Sequence, residues 1–218
     1  MNIDYPNIQS LTPRERMNYF SEKYGQLCGW MTEQDLLFLC SWLPEVALTY
    51  QTPPHILEVG SFLGSTARGL ISLTGGLLSA IDNWVDVRPH LKNNETPEDA
   101  WWKTLRENGQ DLSQYVKSLY GGESAEIGQS WTEPIDMLFI DGDHHYSPAS
   151  ADMGLFVPHL NVGGYLLVDD WNQPEVRLAT QDVVLSNVLW QWQMIRIPPI
   201  TQLASESEKK LWVAQRVK

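Results

Sequence analysis

The sequence predicts an α/β fold, a seven-stranded and mostly parallel sheet with helices on both faces. Three observations carry this expectation. Short apolar runs recur along the chain with helical segments between most of them, and glycines (Gly60 and Gly64, Gly75-Gly76, Gly121-Gly122, Gly163-Gly164) punctuate the switches. Strands that alternate with helices are joined by right-handed crossovers and so run parallel. The last two runs lack a helix between them and are expected to pair antiparallel, with the final strand reversed.

The elements follow in order. Thr12-Pro13-Arg14-Glu15 joins a capping residue, a proline at the first helical position and a glutamate three places past the cap, which predicts a helix to about Gly25. Thr32-Glu33-Gln34-Asp35 opens a second helix carrying Leu36, Leu37, Leu39, Trp42, Leu43 and Val46, which Pro44 is expected to kink or divide before Pro53-Pro54 stops it. Residues 1–52 therefore read as a helical extension ahead of a domain at 53–218, able to cover the sheet, cover the site or build a homodimer contact. Strands are expected at 55–60, 77–82, 115–120, 135–141, 165–168, 191–197 and 211–217. Helices are expected at 66–73, from the Thr96-Pro97-Glu98-Asp99 cap to Gly109, briefly after Glu123-Ser124, from 147 to about 160, and from about 174 to 189. The irregular stretch 83–94 and the helix bearing Trp101 and Trp102 form a lid or substrate wall, or else those tryptophans are core.

Bulk composition narrows the partners. The chain has 218 residues, 43% of them hydrophobic and 11% aromatic, which suits one domain with a sizeable core. A net charge of −12, without clustered Lys and Arg, argues against a nucleic acid backbone as partner. Cys28 and Cys40 lie in apolar surroundings without metal-type spacing and read as small core residues, which fits a reducing cytoplasm. The N-terminus shows no basic-then-apolar signal pattern and no run approaches membrane-spanning length, so a soluble cytoplasmic protein with no membrane partner is expected.

The chemistry gathers at strand ends. The run Ile56-Leu57-Glu58-Val59-Gly60-Ser61-Phe62-Leu63-Gly64-Ser65-Thr66 is a buried strand turning into a helix, where two glycines let the backbone bend sharply against a ligand. Its GxxxG spacing differs from the GxGxxG of dinucleotide sites, and Glu58 would repel a phosphate but receive an ammonium group; an ordinary tight turn is the alternative. Asp82 ends the second strand 22 residues after Gly60, where a carboxylate can accept both hydroxyls of a ribose or simply cap a loop. Glu123-Ser124 closes the third strand and meets an adenine edge or caps a helix. Asp141 and the Asp169-Asp170 pair end neighbouring strands, and three carboxylates so close raise one another's pKa values unless a cation sits among them. Oxygen ligands suit Mg²⁺, with Mn²⁺ or Ca²⁺ as substitutes, while separate caps and turns are the competing account. His144, three residues after Asp141, is the candidate base for a nearby hydroxyl; Asp143 is its rival and His145 a weaker one.

With the Glu58-Val59-Gly60 turn, Asp82, the block Phe139-Ile140-Asp141-Gly142-Asp143-His144-His145-Tyr146 and Gly163-Gly164 leading to Asp169-Asp170, residues 55–218 resemble a class I S-adenosylmethionine-dependent methyltransferase with a Rossmann-like fold. The resemblance is closest to the metal-dependent small-molecule O-methyltransferases, of the catechol type and of the sugar and macrolide type. It implies that Glu58, Gly60, Ser61, Gly64, Ser65 and Thr66 hold the methionine end of S-adenosylmethionine. It places Asp82 at the ribose, Asn83 among the cofactor-binding residues, Glu123 and Ser124 near the adenine, and Asp141 at both cofactor and metal, with Asp169 and Asp170 as further ligands. In catechol relatives the last ligand is Asn and a Lys follows the strand-four Asp as base, whereas this chain has Asp170 and His144. The departure points to the sugar-type relatives and to a hydroxyl on a sugar, phenol or polyketide-type natural product as acceptor. A protein that binds the same cofactor without turnover, or a metal-site hydroxylase-like relative, are the other readings.

Overall fold

A computed structural model describes residues 10–27, 29, 31–85, 87–92, 94–198 and 210–218. The expectations for the extreme N-terminus, for Cys28 and for most of the polar segment before the last strand lie outside the described residues. Among the described residues seven strands form one sheet: β1 His55–Val59, β2 Leu77–Asp82, β3 Val116–Gly121, β4 Ile135–Ile140, β5 Leu160–Val168, β6 Trp192–Arg196 and β7 Trp212–Arg216, in the order β3-β2-β1-β4-β5-β7-β6. Neighbours from β3 to β5 pair parallel, and β7 runs antiparallel to both β5 and β6. The order reverses direction beside β1, which brings the carboxyl ends of β1 and β4 together at the place where open α/β sheets bind ligands.

Strand side chains alternate in direction, so each strand feeds two cores. Ile56, Leu78, Ala80, Met137, Phe139, Leu167 and Val213 meet α1 Pro13–Tyr24, α2 Glu33–Ala47, α3 Ser65–Thr74 and α4 Pro97–Thr104 on one face. Leu57, Val59, Ile81, Leu138, Ile140, Leu166, Val168 and Trp212 meet the other face, built chiefly by α6 Tyr146–Phe156 and α7 Pro174–Ala179, with α5 Ser124–Gln129 beside them. By the same alternation Glu58, Asp141 and Asp169 fall on the α1–α4 side of the sheet. The helices before β1 share this core: Phe20, Leu39 and Leu43 are fully buried, and the Trp42 ring meets Tyr165 of β5 edge-on at 5.0 Å. Cys40 is buried there too, and burial pushes its thiol up to about 12, as a small core residue requires.

Several boundaries depart from expectation for local reasons. Pro44 does not divide α2: it sits near the C-terminal end, where its missing N–H removes a single bond, and buried Leu43 and Val46 flank it within the helix. The helix opened by Thr96 ends at Thr104, and Glu107–Gly109 is a separate 3-10 turn with Asn108 at φ 56°. Tyr115 closes another 3-10 turn and β3 starts at Val116. α6 stops at Phe156, and β5 starts at Leu160 because Gly163, at φ 89°, lets the strand take an irregular register against β4. After Ala179 the helix widens to a π turn and ends at Leu185. Among the described residues no helix is long and apolar enough to cross a membrane.

Candidate active site

The turn after β1 is held shut by glycine. Gly60 has φ 87°, and a Cβ on it would overlap the Asp141 carbonyl oxygen, so the end of β1 lies against the end of β4 with no room for a side chain. Gly64, at φ 83°, caps α3 without a side-chain hydrogen bond, and a Cβ there would come within 3.0 Å of the Trp101 ring. Ser65 and Thr66 open α3, so the helix presents its first N–H groups at the turn, the usual place for an anionic group such as a carboxylate.

Glu58 lies at the base of this turn and is fully buried. Its Oε2 accepts from Ser61, whose hydroxyl also receives the Trp101 indole N–H at 2.7 Å, while Glu58 Oε1 has no partner. Burial pushes the carboxyl up to about 8, against the pull of the Ser61 hydrogen bond. A buried acceptor short of a donor beside an uncapped helix fits a ligand bearing an ammonium and a carboxylate. The tryptophan question divides: Trp101 is fully buried core that touches the turn, and Trp102 is half-buried against it, ring centroids 4.9 Å apart.

The next two strands carry the expected nucleoside residues. Asp82 ends β2 and accepts from the Phe62 amide and the Trp84 amide, both at 2.6 Å; Phe62 and Trp84 have φ 48° and 52°. Its carboxylate thus ties the β1 turn to the loop after β2. Asn83 donates to Glu123 at 3.0 Å, joining the candidates from β2 and β3. Ser124 turns away from them and donates to Asp152 of α6 at 2.5 Å; Asp152 is buried and pushed up to about 6 by that burial. Trp84 lies across Gly121, where a Cβ would meet its ring at 2.8 Å, and donates its indole N–H to the Phe62 carbonyl at 2.9 Å.

At the ends of β4 and β5 the acids do converge, but in a different set from the one expected. Asp141, His144 and Asp170 each bring one ligand atom within 4.8 Å of one another. His144 Nε2 stands 3.0 Å from Asp170 Oδ2, and Gln173 Nε2 lies 3.0 Å from His144 Nδ1. The Asp170 hydrogen bond raises the His144 pKa against desolvation; burial would raise Asp170, yet that same hydrogen bond and the Lys210 charge bring it down to about 2. Asp169 lies outside this set, and its buried Oδ1 has no hydrogen-bond partner. Its Oδ2 pairs with the Lys210 ammonium at 2.7 Å, which also stands 3.4 Å from Asp170 Oδ1. Asp141 is raised well above the ordinary carboxylate range, by burial first and the Asp169 charge second. Asp143 points away to His145, accepting from its amide at 2.9 Å and lying 2.6 Å from its Nδ1, and these bonds hold the Asp143 carboxyl below its ordinary value.

A magnesium-type ion on Asp141, Asp169 and Asp170 does not fit this arrangement. Such an ion would share two of its three ligands with an ammonium, and like unit charges at ~4 Å repel by about 4 kcal/mol even at an effective dielectric constant near 20. The chain supplies a positive charge of its own beside Asp169 and Asp170.

Lys210 was not singled out by its sequence. It follows a polar segment and has no motif around it, yet a signal existed. Once β7 is antiparallel beside β5 with Trp212 opposite Val168, the residue two places before Trp212 must lie beside the residues just past Val168. Gln173, just before α7, and Asp152, within α6, likewise stand in no motif.

Comparison with known proteins places this site in a family. Residues 57–171 match a family model described as a methyltransferase domain, more than half of the chain, and the chain belongs to that family, as the resemblance in its motifs implied. An uncharacterized protein of Acanthamoeba polyphaga mimivirus, R132, is 43% identical over 54 residues, 23% of this chain and 24% of that protein, so the match spans about a quarter of that curated relative. Among solved structures, an O-methyltransferase from Bacillus cereus in complex with SAH superposes with TM-score 0.59 at 16% identity, covering 95% of this chain and 90% of that one. CalS11, a TDP-rhamnose 3'-O-methyltransferase of calicheamicin biosynthesis, gives TM-score 0.54 at 16% identity, covering 84% of this chain and 78% of that one. At such identities the likeness is one of fold.

Proposed function

We propose that the protein transfers a methyl group from S-adenosylmethionine to a hydroxyl oxygen of a small molecule, with His144 as the base. The observation that carries this reading is the His144–Asp170 pair at 3.0 Å. It stands on the loop leaving β4, next to the β1 turn whose Gly60 touches Asp141. When bound, S-adenosylmethionine supplies an electrophilic methyl group on a positively charged sulfur. Glu58, Ser61 and the Gly64-Ser65-Thr66 turn would hold its amino acid end, Asp82 and Asn83 its ribose, and Glu123 the adenine side.

The rest falls to the chain. Asp170 orients the imidazole and stabilises its charged form, as a carboxylate does behind a general base. The ring nitrogen that faces Gln173 then takes the proton of the acceptor hydroxyl as the oxygen attacks the methyl carbon. Because the proton and the methyl group move in opposite directions, the residues act mainly by holding the acceptor in line and by stabilising charge that develops on its oxygen. The shared fold of the two solved O-methyltransferases supports an oxygen acceptor, and the Asp169-Asp170 pair favours a sugar-type or related natural-product hydroxyl over a catechol.

The test pairs two measurements on the full chain. Calorimetry with S-adenosylmethionine reads the donor site, and transfer of labelled methyl to a panel of sugar nucleotides, phenols and polyketides reads the chemistry. His144→Ala should lower transfer about 10²- to 10⁴-fold, the usual worth of a general base, with donor affinity nearly unchanged. Full turnover by that variant would dispose of the assigned role.

A further inference from the structure

The geometry points to Lys210 as the resident cation of the acidic edge: its ammonium occupies the position at Asp169 and Asp170 that a divalent ion would take. The inference that wild-type turnover needs no divalent ion rests on the methyltransferase reading; the inference about cation binding does not.

Lys210 is built in rather than adventitious. Its side chain is 13% exposed, against the free display of an ordinary surface lysine, and its backbone is fixed on three sides. The Lys210 amide donates to Asp35 Oδ2 at 3.2 Å, the next amide, that of Leu211, donates to Asp35 Oδ1 at 3.4 Å, and the Lys210 carbonyl accepts from Trp171 at 3.0 Å. Asp35 is itself fully buried at the start of α2, where Thr32 caps it and Arg196 of β6 meets it at 2.6 Å. Asp35 of α2, itself held by Arg196 of β6, and Trp171 in the turn after β5 therefore fix where the lysine stem begins. Two carboxylates in an enclosed site offset the rotamer entropy lost in ordering such a side chain.

The arrangement also gives two of the three aspartates a partner, while the buried Asp169 Oδ1 keeps none. Asp169 has Lys210 and Asp170 has His144, so the imidazole is held in place by a carboxylate whose other oxygen already faces a cation. A divalent ion among Asp141, His144 and Asp170, whose ligand atoms lie within 4.8 Å of one another, would exchange the His144–Asp170 hydrogen bond for ligation and compete with the ammonium 3.4 Å from Asp170 Oδ1. A lysine engaged with two carboxylates also cannot chelate two oxygens of an acceptor. Selection of acceptors by a pair of neighbouring oxygens is therefore not expected, and a single hydroxyl suffices.

The experiment is a Mn²⁺ titration of the full chain, read by electron paramagnetic resonance, for wild type, Lys210→Met, Lys210→Gln and Lys210→Arg. Wild type and Lys210→Arg should show no saturable site below ~1 mM, and the two neutral variants should bind Mn²⁺ at least about tenfold more tightly, since their buried carboxylates have lost their counter-charge. The gain should vanish when Asp170→Asn is added to Lys210→Met. Micromolar binding of Mn²⁺ by the wild-type chain would overturn the assignment, and so would folded neutral variants that bind no more tightly than wild type. Should the neutral variants fail to fold, the wild-type titration still decides. Calorimetry with S-adenosylmethionine on the same samples keeps the two readings apart, because loss of donor binding would strike the proposed function and leave the cation result standing.

Discussion

Replacing Glu58 by glutamine keeps the outline of the side chain and removes a charge that the fold accommodates only at a cost. The carboxyl is fully buried, Ser61 serves one oxygen, the other has no partner, and burial pushes the group from 4.5 up to about 8. Between those two values the folded protein keeps a proton that the unfolded chain has released. The contribution of Glu58 to stability is therefore full below about pH 4.5 and is lost as pH rises through about 8. At about 1.4 kcal/mol per decade of proton affinity, the displacement sets a ceiling of ~5 kcal/mol on that loss. Glutamine has no proton to lose. Urea unfolding followed by tryptophan fluorescence, at intervals from about pH 5 to 8.5, should show Glu58→Gln gaining several kcal/mol on the wild type as pH rises. Asp152, also raised by burial, is present in both proteins and cancels to first order. Parallel stability curves for the two proteins would refute the argument that this carboxyl is neutral in the fold. Saturating S-adenosylmethionine should flatten the wild-type curve, because an ammonium at Oε1 favours the ionised form.

Two further substitutions test the packing of the turn. Gly60→Ala places a methyl group on the Asp141 carbonyl at a backbone angle that L residues avoid, so a loss of about 3 kcal/mol or more is expected, read as a lowered Tm or as insoluble protein. A variant as stable as wild type would mean that β1 and β4 do not meet there. Trp101→Phe removes the 2.7 Å hydrogen bond to Ser61 while keeping an aromatic ring, and should cost about 1–2 kcal/mol in chemical unfolding. A neutral result would show that the indole N–H does not reach the Ser61 hydroxyl.

Much of this protein follows from its sequence because the relevant physics is local. Strand against helix is written in the alternation of apolar residues, and the cap at Thr12 needs only the residues up to Glu15 to form its reciprocal hydrogen bonds. The turn at Gly60 is likewise local in origin, since only glycine takes φ 87° without strain, and strand ends bearing Glu58, Asp82, Asp141 and Asp169 gather at one edge once the strands are parallel. Where local rules compete, the sequence loses its grip. The chain past Pro44 stays helical because buried side chains on both sides outweigh one missing N–H, and β5 begins early because Gly163 tolerates an irregular register.

The charges of the site were decided by the tertiary structure alone. An aspartate's neighbours in sequence reveal that it will be crowded, but not what will relieve the crowding. Lys210 reaches Asp169 only because β7 folds back antiparallel on β5 and because Asp35, from the far end of the chain, pins the two residues just before that strand. Likewise Trp101, on a helix that could have stood open, is drawn under the β1 turn by Ser61 and by the space that Gly64 leaves. Periodicity and capping act over a few residues, so they set the elements. Which distant side chain lies beside a given carboxylate depends on the register between elements, and that exists only once the chain has folded.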